Sequence, residues 1–194
     1  MLTPGERQEL LEVARSSISD EMRIRHPSFT GEPAKYAPAA SKKGGRLDEP
    51  GGAFVTLHMK GDLRGCIGYI EFPGPLRRAV EEVARKAAFE DPRFAPLMPD
   101  ELRSVSIEIS VLSPLRRIAG VDDVKVGRDG LLIELRGYRG LLLPQVATEY
   151  RWEAEEFLEN TARKAGLPRT AWRDPAAQLH AFAAEVFSEE SERP

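Results

Sequence analysis

The sequence predicts an α+β fold with a largely antiparallel sheet, on three observations. Strand and helix patterns are mixed without the strict alternation that builds a parallel sheet. Residues 103 to 112 alternate cleanly, with Val105, Ile107, Ile109 and Val111 on one face and Ser106, Glu108 and Ser110 on the other. Two pairs of apolar runs, one on each side of Gly61 and one on each side of Gly137, read as hairpins.

In chain order, Thr3 can cap a helix, Pro4 suits its first position and Glu6 stands three residues after the cap. Leu10, Leu11, Ala14 and Ile18 continue at helical spacing, which predicts a helix to about Met22. From about residue 26 to 52 the period vanishes into a loop carrying Pro27, Pro33, Pro38, Pro50 and a Lys42-Lys43-Gly44-Gly45 tip. Loops of this length serve as lids, binding segments or disordered excursions, and Phe29 and Tyr36 are the residues able to pin it.

Ala53 to Met59 then reads as a strand, and Lys60-Gly61-Asp62 supplies turn residues before Leu63-Arg64-Gly65-Cys66-Ile67-Gly68. A Gly61-Asp62 loop would set Met59 opposite Arg64, His58 opposite Gly65 and Leu57 opposite Cys66. In that register Arg64 and Cys66 share one face and His58 takes the other, so His58 cannot serve Cys66 as a base.

Phe72 to Pro75 make a turn, and Leu76, Ala79, Val80, Val83, Ala84 and Ala87 form a second helical stripe. Opposite it, Arg77 with Glu81, Arg78 with Glu82, Glu81 with Arg85 and Glu82 with Lys86 read as a solvated, ion-paired face. Asp91-Pro92 ends the helix, and the strand of residues 103 to 112 follows. Arg116-Arg117 fall in a connection, and residues 121 to 126 form a short segment. Leu131 to Leu135 and Leu141 to Leu143 flank a break at Arg136 to Gly140, with Pro144 ending the return strand. A helix from about Trp152 to Ala165 stops at Gly166-Leu167-Pro168. Periodicity alone favours a helix in the tail, from Leu179, Phe182, Ala183, Val186 and Phe187.

Length and composition bound the function. The 194 residues suit one domain, and 41% hydrophobic with 30% charged residues suits a globular chain. A formal net charge of -3 argues against backbone-driven nucleic-acid binding. The single cysteine makes no internal disulfide, no apolar run is long enough for a membrane span, and a cytoplasmic protein is expected. His26, His58 and His180 match no zinc spacing. The sequence indicates no metal site and no cofactor.

Six ordered motifs carry a resemblance over nearly the whole chain. They are Gly52 to Leu57, Leu63 to Gly68, Asp91-Pro92-Arg93-Phe94, Ile107 to Leu112, Leu142 to Val146 and Lys164-Ala165-Gly166-Leu167. In that order they resemble the AMMECR domain family. The resemblance implies a single AMMECR domain over 1–194, with a larger and a smaller subdomain in one unit and a C-terminal strand in place of the helix. It implies no settled activity. It also implies possible partners, since the family's prokaryotic domains occur beside or fused to a Memo-like domain and a radical S-adenosylmethionine enzyme. The long proline-rich loop before Gly51 departs from the family pattern.

Cys66 is the first chemical candidate, as a nucleophile or redox thiol that Arg64 would activate across roughly 6.6 Å of strand. An inert core cysteine is the alternative. Gly65 and Gly68 inside a strand mark either a binding surface or close helix packing. Asp91 and Arg93 would join Arg64 in an anion-recognition cluster, or form a structural pair. Glu108 is a candidate general base, and Gln145 a polar contact. Together these residues predict a cleft for a small anionic molecule or an acidic group on a partner. The alternatives are a non-catalytic adaptor, and RNA binding by Arg77/Arg78, Arg116/Arg117 and Arg136/Arg139.

Overall fold

The computed structural model describes residues 1–30 and 45–192, and mixes helices with antiparallel strands as the sequence predicts. Pro33, Tyr36, Pro38 and the Lys42 to Gly44 tip lie outside the described residues. The chain divides into a larger unit of Met1–Val111 with Glu185–Pro194, and a smaller unit of Leu112–Ala184. The smaller unit is thus an insertion within the larger.

In the larger unit, α1 (Pro4–Arg25) starts at the predicted capping box, Thr3 and Glu6 each accepting from the other's backbone. It runs three residues past Met22, because Arg23 and Arg25 find Asp20 and Glu21 one turn back. Phe29 packs against the core, and Leu47 is buried in a short 3-10 turn at Arg46–Asp48. Strands β1 (Ala53–Met59) and β2 (Asp62–Tyr69) precede α2 (Leu76–Phe89) and β3 (Val105–Leu112). The order is β2-β1-β3, with β2 at the edge. Ala53, Val55 and Leu57 of β1 and Val105, Ile107, Ile109 and Val111 of β3 point inward to the stripes of α1 and α2. The alternation of β3 is as the sequence predicts.

The solvated face of α2 is a partial correction. Glu82–Lys86 forms as an i,i+4 pair and Arg78 takes Glu81 one residue nearer, but Arg77 turns aside to Glu9 of α1 (2.7 Å) and Asp48 (2.8 Å). Residues 185–192 return to this unit. Arg15 donates to Glu189 and to the carbonyls of Leu102 (3.0 Å) and Val105 (2.8 Å), while Glu189 also accepts the Ile107 amide.

In the smaller unit come β4 (Arg116–Ile118), β5 (Asp129–Leu135), β6 (Tyr138–Leu142), α3 (Pro144–Glu149), α4 (Ala154–Lys164) and β7 (Gln178–Ser188), whose first seven residues belong here. Strands pair in the order β4-β7-β5-β6. The tail is a strand, as the resemblance implies and the period does not. The β5–β6 turn needs only Arg136 and Gly137, both at positive φ, so the predicted five-residue break is shorter. Pro144 ends β6 and also opens α3, a helix too short to show a period. Residues 121 to 123 form a 3-10 turn. Phe157, Leu158 and Ala162 of α4 pack on Leu131, Ile133 and Leu179.

Gly65 is where α2 meets the sheet: a Cβ there would stand 2.2 Å from the Ala87 carbonyl oxygen. At Gly68 the nearest neighbours of a Cβ would be Cδ1 and Cγ of Phe54, both at 2.2 Å. Gly65→Ala is therefore expected to cost about 1–3 kcal/mol through overpacking, and Gly68→Ala less, because the half-buried Phe54 side chain can swing about χ1 whereas the Ala87 backbone moves only with α2. Urea midpoints of the two variants check this; equal midpoints would show that α2 is free to shift from β2.

Candidate functional site

The β1–β2 hairpin differs from the predicted register in its turn and in a bulge, and the bulge decides which side chains share a face. The turn is Lys60-Gly61 (φ 55° and 88°), the two left-handed positions of a type I′ turn, and Asp62 already pairs with Met59. Further along, His58 pairs with Leu63 and Leu57 with Gly65, leaving Arg64 as the extra residue of a bulge. Cys66 thus lies opposite Thr56, not Leu57. A one-residue slip exchanges faces, so Cys66 shares the outer face of the sheet with Thr56 and His58. The expectation that His58 lies on the other side is corrected.

On β3, Glu108 pairs with Thr56 and Ser106 with His58. Cys66, Thr56 and Glu108 therefore form one row across three strands, and His58 and Ser106 occupy the next row. Two strand spacings place Cys66 and Glu108 roughly 9–10 Å apart. The Thr56 hydroxyl donates to Cys66 Sγ at 3.3 Å. Cys66 and Glu108 are half-buried, and the Glu108 carboxylate makes no hydrogen bond or ion pair among the described residues. The strand alternation pointed to Glu108; Thr56 and His58 were missed because their face depends on the bulge.

The predicted cluster of Arg64, Asp91 and Arg93 separates into two pairs. Arg64 donates two parallel bonds to Glu101, each 2.9 Å, and its side chain is 12% exposed. Glu101 also accepts the Met98 amide, so the pair ties the turns before β3 to β2. Arg64 first, with that amide, lowers the Glu101 carboxyl below its ordinary value.

Asp91 and Arg93 instead hold the backbone of Cys66. Buried Asp91 accepts the Cys66 amide at 2.8 Å, and Arg93 donates to the Cys66 carbonyl at 3.1 Å and to Asp91 at 2.7 Å. The Arg93 guanidinium, then the amides of Cys66 and Arg93, hold the Asp91 carboxyl far below the usual carboxylate range against the opposing effect of burial. Arg93 is in turn raised, by Asp91 first and by Cys66 in smaller measure. The Asp91–Arg93 pair is formed, placed around the backbone of Cys66.

Gly65 serves helix packing, and Gly68 lies under the Phe54 ring. Gln145 lies in the smaller unit as the second residue of α3, its carbonyl accepting from Thr148. Among the described residues no three of His, Cys, Asp and Glu are grouped to hold a metal ion, and no helix is long and apolar enough to cross a membrane. Of the arginines proposed for RNA, Arg77, Arg78, Arg116, Arg136 and Arg139 each face a carboxylate.

Known proteins resemble this chain. A model of the AMMECR1 family matches residues 11–187. A protein of Methanothermobacter thermautotrophicus is 50% identical over 145 residues, covering 72% of this chain and 76% of its own. Protein TK0174 of Thermococcus kodakarensis is 42% identical over 194 residues, or 95% of this chain and 90% of its own. The crystal structure of uncharacterized protein PH0010 from Pyrococcus horikoshii matches with a TM-score of 0.77 at 38% identity, covering 95% of this chain and 91% of that one.

The Asp91 clamp has a pH signature. Its carboxyl is depressed on folding, so its contribution to stability is full above the unfolded value of about 3.9 and is lost as pH falls through the folded one. Asp91→Asn should lose about 1–3 kcal/mol near neutral pH and show a shallower acid limb than the native chain. Urea midpoints measured from neutral pH downward check it; parallel curves would place the acid linkage on another group.

Proposed function

The chain belongs to the AMMECR1 family, and from the geometry around Cys66 we propose that the outer face of the larger unit's sheet is a thiol-centred site for a small polar substrate. Cys66 is the reacting group. The observation that carries this reading is the arrangement at one residue: its amide and carbonyl are held by Asp91 and Arg93, and its sulfur accepts from Thr56. A cysteine acts through its sulfur, and here Thr56 donates to that sulfur while Arg93 donates to the carbonyl of the same residue.

Glu108, across β1 in the same row, is placed to take or give a proton on a substrate that bridges the row, and His58 stands one row away. The substrate need not be an anion. Arg64 and Arg93 are each matched by a carboxylate, so the small substrate remains and the demand for negative charge falls away.

A second reading, a non-catalytic adaptor, is favoured by those same matched arginines. Its partner would be of the Memo-like or radical S-adenosylmethionine class implied by the resemblance. Strand addition at the edge is opposed by the side chains covering Cys66, so such a partner would dock on the outer face.

The deciding experiment is alkylation of Cys66 in the native chain with iodoacetamide across pH, read by intact mass. Arg93→Met should slow the reaction at neutral pH by about tenfold, and Arg93→Lys, which keeps the charge but not the planar fork, should recover part of it. If Cys66 reacts only after unfolding, the thiol-centred reading fails and the adaptor reading stands. If native Cys66 reacts at the same rate in all three proteins, Arg93 has no part in activating it.

A further inference from the structure

A pocket of about 570 Å³ in the smaller unit is separate from the Cys66 face, and its walls come from β4, the 3-10 turn at Val121–Asp123, the 3-10 turn at Arg169–Arg173 and the start of β7. Its volume falls in the range of small-molecule sites, roughly 300–1,000 Å³. Ile118, Ala177 and Leu179 give it an apolar side.

The charges around it do not all cancel internally. Arg173 is paired with Glu155, and Asp174 accepts from Arg136 at 3.0 Å and from the Ala176 amide. Two charges remain. Arg117 has no acceptor among the described residues. The Asp123 carboxylate accepts the Ala119 amide at 2.7 Å and makes no ion pair among the described residues. Arg117 and Asp123 both line the pocket and do not pair with each other.

Trp172 lines the pocket, with the Arg173 guanidinium stacked 4.5 Å from its ring.

We propose that this pocket binds a small zwitterion of the amino-acid or short-peptide class bearing an apolar side chain. The carboxylate is taken by Arg117, the ammonium by Asp123, and the side chain by Ile118, Ala177 and Leu179 beside Trp172. An anion alone would meet Asp123 and a cation alone would meet Arg117. The zwitterion answers both.

L-phenylalanine is the probe, with 3-phenylpropionate and 2-phenylethylamine as its two half-charged counterparts, titrated into the full chain. The readout is the Trp172 indole N–H resonance, assigned by its disappearance in Trp172→Phe. A saturable shift with L-phenylalanine is expected, weakened about tenfold or more in Arg117→Met and in Asp123→Asn through loss of a charge-assisted contact. The asparagine keeps an acceptor for the Ala119 amide, and unchanged remaining resonances in each variant show that the fold is retained. No saturable shift overturns the proposal. So does equal binding of either half-charged probe, or binding that Arg117→Met leaves unchanged.

Discussion

The outward-facing amide and carbonyl of Cys66 set the main constraint on the larger unit. Strand β2 is an edge, and an edge leaves backbone groups that water or another chain will take unless the protein provides partners. Asp91 and Arg93 provide them from the turn that follows α2. The same turn is anchored by the Leu97 amide, which donates to the Ala88 carbonyl. Gly65 lets the end of α2 approach β2 closely enough for this, since its missing Cβ would collide with Ala87. Helix end, turn and strand edge are therefore one mechanical piece, with the only cysteine at its centre.

This arrangement changes the chemical meaning of the arginines. An arginine near a cysteine is easily read as an anion receptor, yet both guanidinium groups of the hairpin region face carboxylates of the same chain. Arg64 fixes the approach to β3 through Glu101, and Arg93 closes the edge through Asp91. What remains available on the outer face is a thiol with a hydroxyl against it, a carboxylate and an imidazole.

Much of the fold was legible because its signals are local. The capping box at Thr3, the stripe of α2, the alternation of β3 and the glycine stop after α4 each depend on a few neighbouring residues. The candidate site was less legible because it depends on register. Glycine at the second turn position favoured Lys60-Gly61 over Gly61-Asp62, and the bulge at Arg64 left no mark in composition. The turn slips the register by two residues, which keeps the face, and the bulge by one, which moves Cys66 to the face of His58. Arg77 was misread for a related reason: helical spacing offered Glu81, while tertiary structure offered two carboxylates from elsewhere. In the tail, Phe182 and Val186 fitted both periods, and pairing with β5 and β4 decided for the strand.

The insertion of one unit within the other has a consequence for the order of synthesis. Residues 112–184 are contiguous, so the smaller unit has all of its strands and helices once they have left the ribosome. The larger unit does not. Arg15 in α1 finds Glu189 only after a further 174 residues, and the Ile107 amide waits for that same carboxylate. A nascent chain thus carries α1, α2 and β1 to β3 unclosed while the inserted unit completes, and the last strand acts as a clasp. Closing so long a loop carries an entropic cost that grows only slowly with its length.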